Sequence, residues 1–132
     1  MPKYHTSAHC TYNVGYHIIW CTKYRYSLIR YRLEHRLKQL LLEKSETLGI
    51  SIHTMETMPN HVHLFVTAPQ RVRIDDIVRN LKGYTSFHLR LEFAFLRKYR
   101  SLWTRSYFVE TVGHISEKTV VSYISSQKLR TD

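Results

Sequence analysis

Two histidines, His61 and His63, stand one residue apart in the run Asn60-His61-Val62-His63-Leu64-Phe65-Val66. In an extended strand, side chains two residues apart point the same way. The two imidazoles therefore project from one face, while Val62, Leu64 and Val66 pack on the other. Neutral imidazole is a ligand for many divalent ions, so a rigid strand carrying two of them supplies half of a cation site. Two polar residues on the wet face of a half-exposed strand give the same pattern, and the spacing alone does not separate the readings.

A second pair lies later, in Ser122-Tyr123-Ile124-Ser125-Ser126-Gln127. On a helix, Tyr123 and Gln127 are one turn apart and share a face. Val120, Val121 and Ile124 would pack that helix on the body. Gln127 offers a hard carbonyl oxygen able to complete a site begun by the two histidines, and Tyr123 would then lie within one helical turn of the cation. Taken alone, a tyrosine on an amphipathic helix is more often a packing residue.

Such a set would place a phenol beside a divalent cation, a combination that could act on a phosphodiester. A divalent ion on a non-bridging oxygen withdraws charge and fixes geometry. Two imidazoles and one amide are neutral ligands and leave the ion's charge nearly intact, which favours an anionic phosphate. Mg²⁺ or Mn²⁺ fits this set, whereas zinc favours a tetrahedral set of nitrogen and sulfur. A phenol is a weak nucleophile, with roughly one in a thousand ionised at neutral pH. Nearby positive charge raises that fraction. A phosphotyrosine would exchange one phosphoester bond for another and keep it for later transfer, so no nucleotide cofactor is needed.

The elements that must position these residues are legible from periodicity. Residues 10–22 read as a strand rich in Tyr, Val, Ile and Trp. Leu33, Leu37, Leu40, Leu41 and Leu48 fall on helical spacing within 28–48, and Gly49 stands where a C-cap glycine belongs. Residues 50–58 and 61–68 alternate around Pro59-Asn60 and predict a β-hairpin. A second helix is expected from Ile74, past Gly83 toward Tyr99, then a fourth strand over 106–112. A final helix is expected over 117–130, with Ser116 as N-cap. The fold class is thus α+β: a ferredoxin-like βαββαβ antiparallel sheet with helices on one face, plus a C-terminal helix carrying the tyrosine.

The chain has 132 residues, which suits a single domain over 1–132. Its formal charge is +10, from 20 Lys and Arg against 10 Asp and Glu. That balance, with 13% aromatic residues including ten tyrosines, suits single-stranded nucleic acid, where phosphates need neutralising and bases need faces to stack on. By charge and position, Lys23, Arg25, Arg71, Arg73, Arg79, Lys82 and Arg105 are candidate DNA contacts, with Tyr84 or Phe65 as candidate stacking residues. Cys10 and Cys21 show no metal spacing and read as reduced cytosolic thiols, consistent with a cytoplasmic protein. No apolar run approaches the ~20 residues of a membrane span. The other histidines have no ligand spacing; His17, in the first strand, is the least certain of them.

Six stretches in order resemble the HUH single-tyrosine transposases, which move small bacterial and archaeal insertion sequences as single-stranded DNA. They are His17-Ile18-Ile19-Trp20 with Thr22-Lys23-Tyr24-Arg25; Met58-Pro59-Asn60-His61-Val62-His63-Leu64; Leu81-Lys82-Gly83; Leu102-Trp103; Tyr107-Phe108 with Thr111-Val112-Gly113; and Tyr123 with Gln127. The resemblance implies that His61, His63 and Gln127 bind the metal and that Tyr123 is the nucleophile. It further implies a 5′-phosphotyrosine, a free 3′-OH and recognition of DNA hairpins. Many relatives carry glycine where Ser106 stands, so the turn before the fourth strand is expected to differ.

Excising a segment requires two cuts, and one nucleophile per chain therefore suggests a homodimer. Two other readings stand beside this one. A histidine-triad nucleotide hydrolase needs a third histidine two residues on, where this chain has Phe65. A non-catalytic relative would bind DNA hairpins only, and metal-dependent formation of a covalent DNA adduct separates it from the enzyme.

Overall fold

The computed structural model describes residues 13–115. Four strands form one antiparallel sheet in the order β2-β3-β1-β4: β1 (Asn13–Cys21), β2 (Ser51–Met58), β3 (His61–Pro69) and β4 (Phe108–Ile115). Helix α1 (Tyr31–Leu48) links β1 to β2, and α2 (Ile74–Glu92) follows β3. This is the expected βαββαβ order and sheet. The helix expected over 117–130, with Tyr123 and Gln127, lies outside the described residues.

Alternation decides which sheet face meets the helices. Val14, Tyr16, Ile18 and Trp20 of β1 and Val62, Leu64, Val66 and Ala68 of β3 enter one core. The helices cover that face with Leu33, Leu37, Leu40 and Leu41 from α1 and Ile77, Val78, Leu81 and Leu89 from α2. Leu37 is fully buried, so Leu37→Ala is expected to cost about 2–5 kcal/mol through lost burial and a residual cavity. The readout is a lower urea midpoint at unchanged slope.

Helix α1 stops at Gly49, which is left-handed at φ 71°. Gly49 N–H reaches Glu46 O, Ile50 N–H reaches Ser45 O, and Ile50 is buried, a Schellman stop with its hydrophobic contact. The helix begins at Tyr31, three residues later than expected. Leu28 and Ile29 instead donate their N–H groups to Pro59 O, at 3.0 and 2.9 Å, and bury their side chains. They tie the approach to α1 onto the β2–β3 turn.

Helix α2 runs through Gly83 as expected but ends at Glu92 rather than near Tyr99. The Arg97 guanidinium takes Arg90 O and Leu91 O, and Arg90 donates to Tyr99 O. These bonds fold Ala94–Lys98 into a separate short 3-10 turn. Strand β4 starts at Phe108, two residues later than expected, because Thr104 O and Ser106 O face the Lys82 ammonium at 2.5 and 3.3 Å. Among the described residues no helix is long and apolar enough to cross a membrane.

Candidate active site

Pairing register fixes where the two histidines stand. In β3, Val62 and Leu64 face the core, so His61 and His63 face the other side of the sheet. Opposite them in β1 are Cys21 and Ile19; opposite them in β2 are Met58 and Glu56. Both imidazoles are half-buried, held by the strand yet open to a ligand.

Each imidazole spends one nitrogen on a neighbour. His61 Nδ1 lies 2.9 Å from Asn60 Oδ1, and an amide oxygen only accepts. His61 therefore donates from Nδ1 and keeps a lone pair on Nε2, the arrangement that metal-binding histidines use. His63 Nε2 lies 2.9 Å from His17 Nδ1. A residue of the β2–β3 turn and one of the neighbouring strand β1 thus hold the pair, and its donor chemistry fits a divalent cation. Among the described residues no three of His, Cys, Asp or Glu converge on one cation site. Any third ligand from the chain would be of another residue type or lie outside them, and the Gln127 expected from sequence is both.

The end of the sheet near His61 is tied together by Thr22. Its N–H donates to Asn60 O at 2.9 Å and its hydroxyl to Tyr26 O at 2.7 Å. Lys23 N–H donates to Leu102 O and Thr104 N–H to Cys21 O, so residues 102–104 continue the sheet beyond β1. Between these ties Tyr24 and Arg25 adopt left-handed φ of 55° and 56°. Such residues cost on the order of 1 kcal/mol or more each and persist where the surroundings enforce them. The result is an exposed Tyr24 ring with Lys23 Nζ over it, 5.2 Å from the centroid. Composition could not single out Tyr24, because its exposure follows from this turn.

The candidate DNA contacts divide between the two ends. Lys23, Arg25, Lys82 and Arg105 gather toward the His61 end. Arg79, Lys82 and Arg105 line one cleft of about 550 Å³ with Trp103 and Tyr107. Arg79 is engaged by Asp76 at 2.5 Å. Burial pushes the Lys82 ammonium below the ordinary lysine range. Arg71 and Arg73 follow Pro69, which pairs with Asn13, at the other end of β3. That is roughly 26 Å from His61 along the strand. Arg73 also pairs with Asp75 at 3.6 Å.

Neither candidate stacking residue is placed to receive a base. Phe65 is fully buried, between the His17 and His53 rings at 5.5 and 5.6 Å. Tyr84 donates its hydroxyl to Glu43 at 2.9 Å, and Lys44 Nζ covers its ring.

Known proteins resemble this chain in sequence and in fold. The family of IS200-like transposases matches residues 10–127. The ISDra2 transposase TnpA of Deinococcus radiodurans is 34% identical over 119 residues, spanning 88% of this chain and 85% of that one. The transposase for insertion sequence element IS200 of Salmonella typhimurium is 30% identical over 123 residues, spanning 91% and 80%. A crystal structure from Deinococcus radiodurans, described as that of a transposase, superposes with a TM-score of 0.76 at 31% identity, covering 93% of this chain and 97% of the other. A REP-associated tyrosine transposase bound to a REP hairpin superposes at 0.57 over 94% of this chain and 66% of its own, and at 12% identity it shows the fold alone. With a match that takes in the paired histidines, the cleft and nearly all of the chain, this protein belongs to the IS200-like transposases.

Proposed function

We propose that this transposase cuts and rejoins single-stranded DNA at insertion-sequence ends, with Tyr123 as nucleophile and a Mg²⁺ or Mn²⁺ ion held by His61, His63 and Gln127. The observation that carries the reading is the fixed His61 ring: its Nδ1 is spent on Asn60 at 2.9 Å, on the face turned away from the core. A histidine that merely decorates a wet strand needs no such partner. When bound, the cation would neutralise a non-bridging phosphate oxygen.

The chain's own groups supply the rest. The fixed imidazoles would hold the cation, which when bound would orient the scissile phosphate. The Tyr123 hydroxyl forms the new bond to phosphorus, the bond to the 3′ oxygen breaks, and a 5′-phosphotyrosine and a free 3′-OH result. Rejoining reverses the exchange with a second 3′-OH. One nucleophile per chain and two ends to cut support a homodimer. A protein of the same fold is solved with a REP hairpin bound, which fits hairpin ends as the ligand form.

The test mixes the protein with labelled single-stranded ends of its element and Mg²⁺. A nucleotide adduct on Tyr123, found by mass spectrometry and absent with chelator, is the expected result. Hairpin binding with no adduct under any divalent ion would instead identify a non-catalytic relative.

Charge at the His61 end gives a separate expectation. Arg105 is exposed beside the cleft, and no described acidic group pairs with it. Arg105→Ala is expected to weaken binding to all single strands alike and to reduce the salt slope of log K by about one. An unchanged slope would remove Arg105 from the phosphate path. Arg71→Ala, at the other end of the sheet, is the matched comparison.

A further inference from the structure

His17 is a buried imidazole on the same sheet face as the pair, only 7% exposed. Its register partner in β3 is Phe65, and His63 is the next residue on that face. The His17 and His63 rings stand edge to face, with centroids 4.8 Å apart, and Nδ1 of His17 is 2.9 Å from Nε2 of His63. The His17 ring also meets Phe65, with centroids 5.5 Å apart. This is a packed ring with one nitrogen aimed at one nitrogen.

Two ring nitrogens at this distance share one proton, and the choice of donor matters. If His17 donates, a neutral His63 must carry its own proton on Nδ1, and neither His63 nitrogen has a lone pair to give. If His63 donates from Nε2, its Nδ1 is bare and able to ligate. We propose that His17 is a positioning residue that accepts the Nε2 proton of His63, fixing that ring and its tautomer so that Nδ1 faces the cation. The proposal rests on the cation-binding reading of His63. With its Nδ1 turned to His63 and its Nε2 buried, His17 acts through His63 and not as a ligand itself. Asn60 does the corresponding work for His61 from the other ring nitrogen. The two histidines therefore present different atoms, Nε2 of His61 and Nδ1 of His63.

The test begins with metal-free, ¹⁵N-labelled protein at a pH where both rings are neutral. Long-range ¹H–¹⁵N correlation is expected to show His63 protonated on Nε2 and bare on Nδ1. The reverse tautomer in the unaltered chain overturns the proposal, without reference to any variant. His17→Leu keeps an apolar side chain but removes the acceptor, and should leave His63 as a mixture of tautomers. His17→Asn places an amide oxygen near the former Nδ1 and should restore the Nε2–H form.

Mn²⁺ affinity, read by titration without DNA, should fall 10–100-fold in His17→Leu, the range expected when a ligand's supporting bond is lost. It should stay within about threefold of the original in His17→Asn. Unchanged affinity in His17→Leu, or equal loss in both variants, overturns the positioning role. If the unaltered chain binds no Mn²⁺, the cation reading itself fails, while the tautomer still decides whether His17 orders His63.

Discussion

Tyr123→Phe is expected to abolish cleavage and leave hairpin affinity within about twofold. The phenylalanine ring retains packing and loses only the oxygen that would bond phosphorus. Removing a nucleophile outright costs far more than removing one stabilising contact, and a loss of at least about 10⁴-fold is expected. No adduct should form, and a gel-shift titration should show the complex intact. Cleavage at an undiminished rate would eliminate the mechanism.

Three of the other tyrosines, Tyr16, Tyr84 and Tyr107, are poor substitutes, for reasons visible in the structure. Hydrogen bonds to Glu43 and Asp75 raise the phenol pKa of Tyr84 and Tyr107, and burial raises that of Tyr16. Each shift moves the group away from phenolate. Tyr24, exposed at the His61 end of the sheet, is the informative control: Tyr24→Phe should keep cleavage.

The register of the histidines could be read from sequence because alternation is local. Val62, Leu64 and Val66 must face one way, and that forces His61 and His63 the other way. Helix α1 and its stop were readable for the same reason, since leucine spacing and Gly49 act within a few turns. What escaped was set by distant partners. Leu28 and Ile29 fall on an apolar pattern, yet Pro59 O holds them out of the helix. Phe65 looked available to a base, but it lies between two imidazoles from neighbouring strands.

Charge had the same weakness. Arg71 and Arg105 are equal in sequence, but antiparallel pairing carries one to the far end of β3 and brackets the other with Lys82 and Trp103. Sequence alone leaves His17 without a role. Its role depends on strand pairing that sets it diagonal to His63, forty-six residues away, and no spacing rule within one strand reveals that. The tyrosine and glutamine expected to complete the site lie outside the described residues, so their meeting with the histidines stands on the proposal.

Removing either imidazole is expected to separate catalysis from both folding and binding. His61→Ala and His63→Ala should each lower cleavage by about 10³-fold or more, because loss of a cation ligand removes the main charge stabilisation offered to the phosphate. Mn²⁺ affinity should fall in parallel, while hairpin affinity, carried by phosphate contacts elsewhere, should change little. Stability should also change little, since both side chains are only half-buried and the core on the far face is untouched. Asn60→Ala gives the graded comparison. It leaves both ligands in place and removes only the bond that orients His61, so a 10–100-fold loss of Mn²⁺ affinity is expected. Measured side by side, the order should be Asn60→Ala milder than His61→Ala, with His63→Ala as severe as His61→Ala. If both histidine variants cut DNA at the original rate, these residues hold no catalytic ion. If they lose hairpin binding and thermal stability together with cleavage, the pair serves the fold and the cation must be sought elsewhere.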